Sequence, residues 1–195
     1  MPFDLIVGVD FGMSGTAVCH SQPDISIGTE TVRHLRWDSE STIEKVPTRL
    51  AYNCCNPRGE PISWGMHVPV GGDGILIQEW FKTKFGQDDG QTTVEKHFLD
   101  YLTLLYAELS RRFTRDVLRG KAWADANVAF YFSTPSIWDS ALVGRFKELI
   151  EAAGFGQAHK SGHGLGVHTV HLSLVEPQAT VAMHLCSKEE SVQFK

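Results

Sequence analysis

Asp10 closes an apolar run, Leu5-Ile6-Val7-Gly8-Val9, and is followed by Phe11 and a turn bracketed by Gly12 and Gly15. A carboxylate at a strand tip beside a glycine-rich turn has the makings of a phosphate and cation site. Gly12 and Gly15 can take positive φ at little steric cost, so the backbone N–H groups of Gly12, Met13, Ser14, Gly15 and Thr16 can converge on one side as an anion nest. Asp10 beside a phosphate would be repulsive unless a hard cation such as Mg²⁺, held through its waters, stood between them. The same residues also read as an ordinary polar turn that Asp10 stabilises.

Other chemistry-bearing residues stand further along. Lys82 and Lys84 fall in Ile75 to Phe85, where Ile75, Leu76, Trp80 and Phe81 predict a short helix with both lysines facing solvent. His159, His163, His168 and His171 surround the run Gly162-His163-Gly164-Leu165-Gly166. That run has the wrong spacing for a dinucleotide turn and is followed by a strand pattern where a helix would be needed. The histidines have no thiolate or carboxylate among them, so an exposed loop is favoured over a metal site. Glu176 precedes Pro177 and opens a predicted helix through Ala179, Val181, Ala182, Met183 and Leu185.

The elements that must position these groups follow from periodicity. Leu5 to Asp10 and Thr16 to His20 predict a hairpin, and Ile25 to Asp38 contributes strand pieces through Val32, Leu35 and Trp37. Val46 to Tyr52 is an extended segment, and Asn56-Pro57-Arg58-Gly59 is a turn leading to Ile62-Ser63-Trp64-Gly65. Thr92 to Leu118 is an amphipathic helix, opened by a Thr92/Glu95 capping box and stopped by Gly120. Ala126 to Phe132 is a nearly continuous apolar run, as a central strand covered on both faces would be. Pro135 ends it, and Leu142, Phe146, Leu149, Ile150 and Ala153 mark a helix that Gly154 terminates. Val170 to Val175 is the last strand. Together these predict an α/β core with one mixed sheet flanked by helices.

Composition narrows the partners. The chain has 195 residues, 42% hydrophobic and 21% charged, and a formal net charge of -5. It can bury a core, and it carries no basic footprint for nucleic acid or an anionic membrane. The N-terminus shows no readable signal peptide or membrane span, and Cys19, Cys54, Cys55 and Cys186 lack CxxC spacing. A cytoplasmic protein, cytosolic or nuclear, with reduced thiols that mostly serve packing is expected.

The segment VGVDFGMSGTAV resembles the first phosphate motif of the actin, hexokinase and heat-shock ATPase superfamily. STPSIWDSALVGRFKELIEAAGF followed by LSLVEPQATVAM resembles the connecting segment of the seventy-kilodalton heat-shock chaperones, especially their divergent relatives. The resemblance implies an actin-like ATPase (ribonuclease H-like) lobe, with a core over residues 1–50 and 120–190 and a small inserted subdomain at about 51–119. It implies ATP or ADP with Mg²⁺ as ligands, Asp10 organising the waters of the metal, and Gly12, Met13, Ser14, Gly15 and Thr16 under the phosphates. Glu176 matches the carboxylate near the attacking water, and Lys82, or Lys84 beside it, the phosphate-facing lysine.

Two departures accompany the match. Met13 stands where the family usually has a threonine, which removes one side-chain hydrogen bond to phosphate. No second phosphate hairpin of the type DxGGGT and no adenosine-binding Gly-Gly segment follows, so the chain is expected to be the first lobe alone. A truncated product, and a stand-alone half that needs a protein partner or the missing C-terminal lobe, both fit. A non-catalytic interaction protein keeping the fold is the alternative to an ATPase, and a sugar-kinase fragment of the same superfamily ranks below both.

Overall fold

The structure is a computed structural model that describes residues 3–23, 32–37, 43–87, 91–156 and 166–175. The side chains of residue 91 and of 173–175 are not among those described. The expectations placed on Glu176 and its helix, on His159 and His163, on Cys186 and on the start of the Ile25 to Asp38 segment fall outside these residues.

The apolar runs form the expected hairpin. Strands β1 (Leu5–Phe11) and β2 (Gly15–Ser21) pair antiparallel, with Asp10 opposite Ala17 and Phe11 opposite Thr16. Strand β3 (Arg33–His34) and strand β4 (Lys45–Pro47) both pair with β2. On the other side β1 runs parallel to β8 (Val128–Thr134), and β8 parallel to β9 (His168–Val175). The described residues thus build a six-stranded mixed sheet in the order β3-β2-β1-β8-β9, with β4 also on β2. All four predicted core strands lie in it.

Alternation along β1 sends Leu5, Val7, Val9 and Phe11 into the core and leaves Ile6, Gly8 and Asp10 on the opposite face. Two helices cover the core face, α1 (Gln91–Asp116) and α2 (Ser140–Ala152). Phe98, Tyr101, Leu102, Leu105, Leu109 and Phe113 of α1 are fully buried, as their helical spacing demands. Phe11 is the hub of this packing, with ring centroids 5.2 Å from Phe98, 5.6 Å from Tyr101 and 5.8 Å from Phe146. Burial of each such side chain contributes about 1.5–3 kcal/mol.

The helix ends differ in detail from the sequence expectation. Thr92 lies inside α1, and the Glu95 carboxylate accepts two hydrogen bonds from Arg145 of α2, at 2.9 and 2.7 Å, which ties the two helices together. At the other end, Arg119 (φ 47°) and Gly120 (φ 91°) carry the chain out in left-handed conformations. Asp139 caps α2 through the Leu142 N–H at 2.8 Å. Gly154 ends it at φ 110°, where a Cβ would come within 2.8 Å of the Tyr106 ring.

A second, smaller sheet is built from β5 (Arg49–Asn53), β6 (Ser63–Trp64) and β7 (Ile75–Glu79), in the order β6-β5-β7. The Val46 to Tyr52 segment is therefore two strands, one in each sheet, with Thr48 at the crossing. Ile75 to Phe85 is likewise not one helix. Ile75–Glu79 pairs antiparallel with β5, Trp80 turns the chain at φ 59°, and Phe81–Lys84 forms a 3-10 turn.

Candidate functional site

Asp10 reaches the C-terminal end of β1 beside its neighbours in the sheet. One carboxylate oxygen accepts from the Ser133 hydroxyl of β8 at 3.1 Å, and the other from the Lys45 ammonium of β4 at 3.1 Å. The pairing of Val9 with Phe132 sets Asp10 and Ser133 side by side. Asp10 keeps about a third of its side chain in solvent and Lys45 well over half, so the pair is open to a competing ion.

The hairpin tip is braced from behind. Thr48 donates its hydroxyl to the Gly12 carbonyl at 2.8 Å, and its N–H to the Ser14 carbonyl at 3.1 Å. Its proton being used there, the 3.0 Å contact between the Thr48 and Thr16 hydroxyls has Thr16 donating. Tyr101 of α1 in turn donates to Thr16 at 3.1 Å, sharing its proton with the Pro47 carbonyl at 3.3 Å. A one-way relay, Tyr101 to Thr16 to Thr48 to Gly12, therefore connects the core helix to the tip. Burial pushes the Tyr101 phenol well above its usual range, which keeps it a donor.

One expectation for the tip is corrected. Neither Gly12 nor Gly15 has positive φ, so the tip is not the left-handed nest the sequence suggested. Glycine is required at position 12 for space instead, because a Cβ there would lie 2.5 Å from the Gly15 carbonyl oxygen. The Thr16 hydroxyl is fully buried and committed to the relay, whereas Met13 and Ser14 at the tip are exposed.

Lys82 is the larger surprise. Its expected outward face is replaced by a position only 6% exposed, with Nζ donating to the Phe11 carbonyl at 2.5 Å and lying 5.7 Å from the Phe11 and Trp138 ring centroids. The turn at Trp80 brings it inward. Lys84, two residues on, is exposed. Strand β9 ends at Val175, opposite Thr134 of β8 and at the same end of the sheet as Asp10; Glu176 itself is outside the described residues.

One carboxylate and two ammonium groups thus gather around the end of β1, Asp10 and Lys45 directly and Lys82 through the adjacent carbonyl. Sequence reading missed Lys45, Thr48, Tyr101, Ser133 and Trp138. Ser133 could have been found, since it stands two residues before Pro135, near the end of a strand parallel to β1. A cleft of about 420 Å³ elsewhere, with Trp37, Trp64, Met66 and Arg112 among its walls, contains none of the predicted site residues. The predicted loop histidine His168 is instead a buried residue of β9 with Nε2 3.2 Å from the Trp123 carbonyl oxygen. Cys54 and Cys55 are exposed and not packing residues.

No family model matches this chain, nor does any curated protein. Among solved structures, MreB5 of Spiroplasma citri bound to ADP is similar at a TM-score of 0.46 and 12% identity. The same protein bound to AMPPNP is similar at 0.42 and 14%. Each comparison covers 87% of this chain, and the chain spans 38% of the length of each of these structures.

Proposed function

We propose that the chain is the phosphate-binding lobe of an actin-like, heat-shock-type ATPase. The observation that carries this reading is the Asp10 carboxylate at the C-terminal end of β1, beside the hairpin tip, with buried Lys82 donating to the carbonyl of the next residue, Phe11. In this reading Asp10 holds Mg²⁺ through water, the backbone of Gly12 to Thr16 lies under the β- and γ-phosphates, and Lys82 offsets their charge. Glu176, next in sequence after β9, positions the attacking water. The small sheet of β5 to β7 belongs to the inserted subdomain of about 51–119. Phosphoryl transfer depends on positioning and preorganised charge, and Asp10, the braced tip and Lys82 would supply the phosphate side of such a site.

What this chain's residues do follows from their geometry. Ser133 fixes the rotamer of Asp10 while leaving its second oxygen to a cation that displaces Lys45. The relay from Tyr101 braces the tip against the core helix. Mg²⁺, when bound, would screen the repulsion between Asp10 and phosphate.

The reading assigns phosphate contacts to this chain and none to adenosine. Inorganic tripolyphosphate with Mg²⁺ should therefore compete with a fluorescent ATP analogue, while adenosine should not. Competition by adenosine alone would overturn the reading. A second reading, a non-catalytic interaction protein, is favoured by one observation: the Asp10 and Lys45 charges already satisfy each other. It predicts no competition by either ligand.

A further inference from the structure

The turn from β5 to β6 contains Asn53-Cys54-Cys55-Asn56, and backbone bonds fix its shape. The Asn56 N–H donates to the Asn53 carbonyl, the Cys55 N–H to the Asn53 side-chain oxygen, and the Cys54 N–H to the Gly74 carbonyl, each at 2.9 Å. In an extended strand two successive side chains would point to opposite faces. Here the turn brings the two exposed thiols together, with their sulfurs 3.8 Å apart and one S–H donating to the other sulfur.

Two chemistries are open to such a pair, and distances decide between them. Oxidation would have to draw the sulfurs together to about 2.05 Å across Cα atoms well inside the ~4.4–6.8 Å that disulfides ordinarily span, which strains the ring. Successive Cα atoms are only about 3.8 Å apart. Chelation needs no such movement. Two sulfurs each about 2.3 Å from a tetrahedrally coordinated ion sit about 3.8 Å from each other, which is the separation the turn already provides.

We propose that Cys54 and Cys55 form a bidentate dithiolate site for a thiophilic divalent ion of the zinc class. On binding, each Sγ–H gives its proton to solvent and each sulfur forms one bond to the ion, with no change of oxidation state. Among the described residues no group of three or more His, Cys, Asp or Glu could hold a metal ion. The pair supplies two positions of a tetrahedral ion and leaves the other two open to water or to a further ligand.

The test titrates the full chain, reduced with a phosphine, with Cd²⁺ followed by sulfur-to-metal charge-transfer absorption, and with Zn²⁺ against a chromophoric chelator. The expected result is one ion per chain, at least tenfold weaker in Cys54→Ser and in Cys55→Ser and unchanged in Cys19→Ser and Cys186→Ser. In the unmodified protein, Zn²⁺ should also protect both turn thiols from iodoacetamide, a readout that needs no variant. Unchanged affinity in the Cys54→Ser/Cys55→Ser double variant overturns the proposal. So does full alkylation of both thiols in the presence of saturating Zn²⁺.

Discussion

The Lys82 ammonium donates to the carbonyl of Phe11 at 2.5 Å, from a side chain that is almost wholly enclosed. A lysine buried against a strand's last carbonyl, with aromatic rings at both sides of its head, costs desolvation that surface placement would avoid. Its acceptor, the Phe11 carbonyl, belongs to the residue after Asp10. Lys82→Met keeps the stem volume and removes the charge. It should lower stability by about 1–3 kcal/mol, since the Phe11 carbonyl loses this donor. Affinity for Mg²⁺-ATP should fall more than tenfold, and Lys84→Met should change neither quantity. Thermal melts and equilibrium titration check both.

Thr48 is the joint between the two sheets and the last donor of the relay to Gly12. Thr48→Val conserves shape and deletes that donor, at a cost of about 1–3 kcal/mol. Hydrogen exchange should quicken at Ser14 to Thr16 while the amides of α1 remain protected. Uniform loss of protection would show the relay to be a general packing element and not a brace for the tip.

Gly12→Ala tests the close approach within the hairpin. The added Cβ would meet the Gly15 carbonyl oxygen, a backbone atom that cannot swing aside. We expect a loss of about 1–3 kcal/mol, as for other overpacked sites. Gly144→Ala, where a Cβ meets nothing within 4 Å, should be neutral or stabilising and serves as the control. Denaturant midpoints of the two variants decide.

Acid should destabilise the fold through two histidines. Burial holds the His20 imidazole below its ordinary range, helped by nearby Arg33. Burial does the same at His97, where Lys96 and Lys84 add to the effect and Asp100 opposes it. A base with a depressed folded-state pKa is neutral in the native protein while the unfolded chain takes up a proton near pH 6.5. Stability from these groups is therefore full above about pH 6.5 and declines as pH falls toward their folded values. Denaturation at pH 7.5 and pH 5.0 should show the loss, and His20→Gln/His97→Gln should flatten it.

Much of the scaffold was legible because its signals are long. The central strands are apolar over strand length, and α1 repeats its apolar face over many turns, so tertiary packing had little to override. Over Ile75 to Phe85 the same reasoning failed, because a short apolar run fits a strand as well as a helix and only pairing with β5 decides. Misreading that segment also turned Lys82 outward. Asp10 was visible from its place at a strand end. Lys45 was not, since β4 has three residues and its partner is remote in sequence. The bracing of the tip was not legible either, since Thr48 and Tyr101 reach Thr16 only through the fold.

The central claim is that Asp10 holds a metal-bound phosphate. Calorimetric titration of the 195-residue chain with ATP, with and without Mg²⁺, and repeated on Asp10→Asn, tests it most directly. The expected result is binding that requires Mg²⁺ and is at least tenfold weaker in a well-folded Asp10→Asn variant. Binding that is indifferent to Mg²⁺ and to Asp10→Asn, or no detectable binding by the folded unmodified chain, would contradict it.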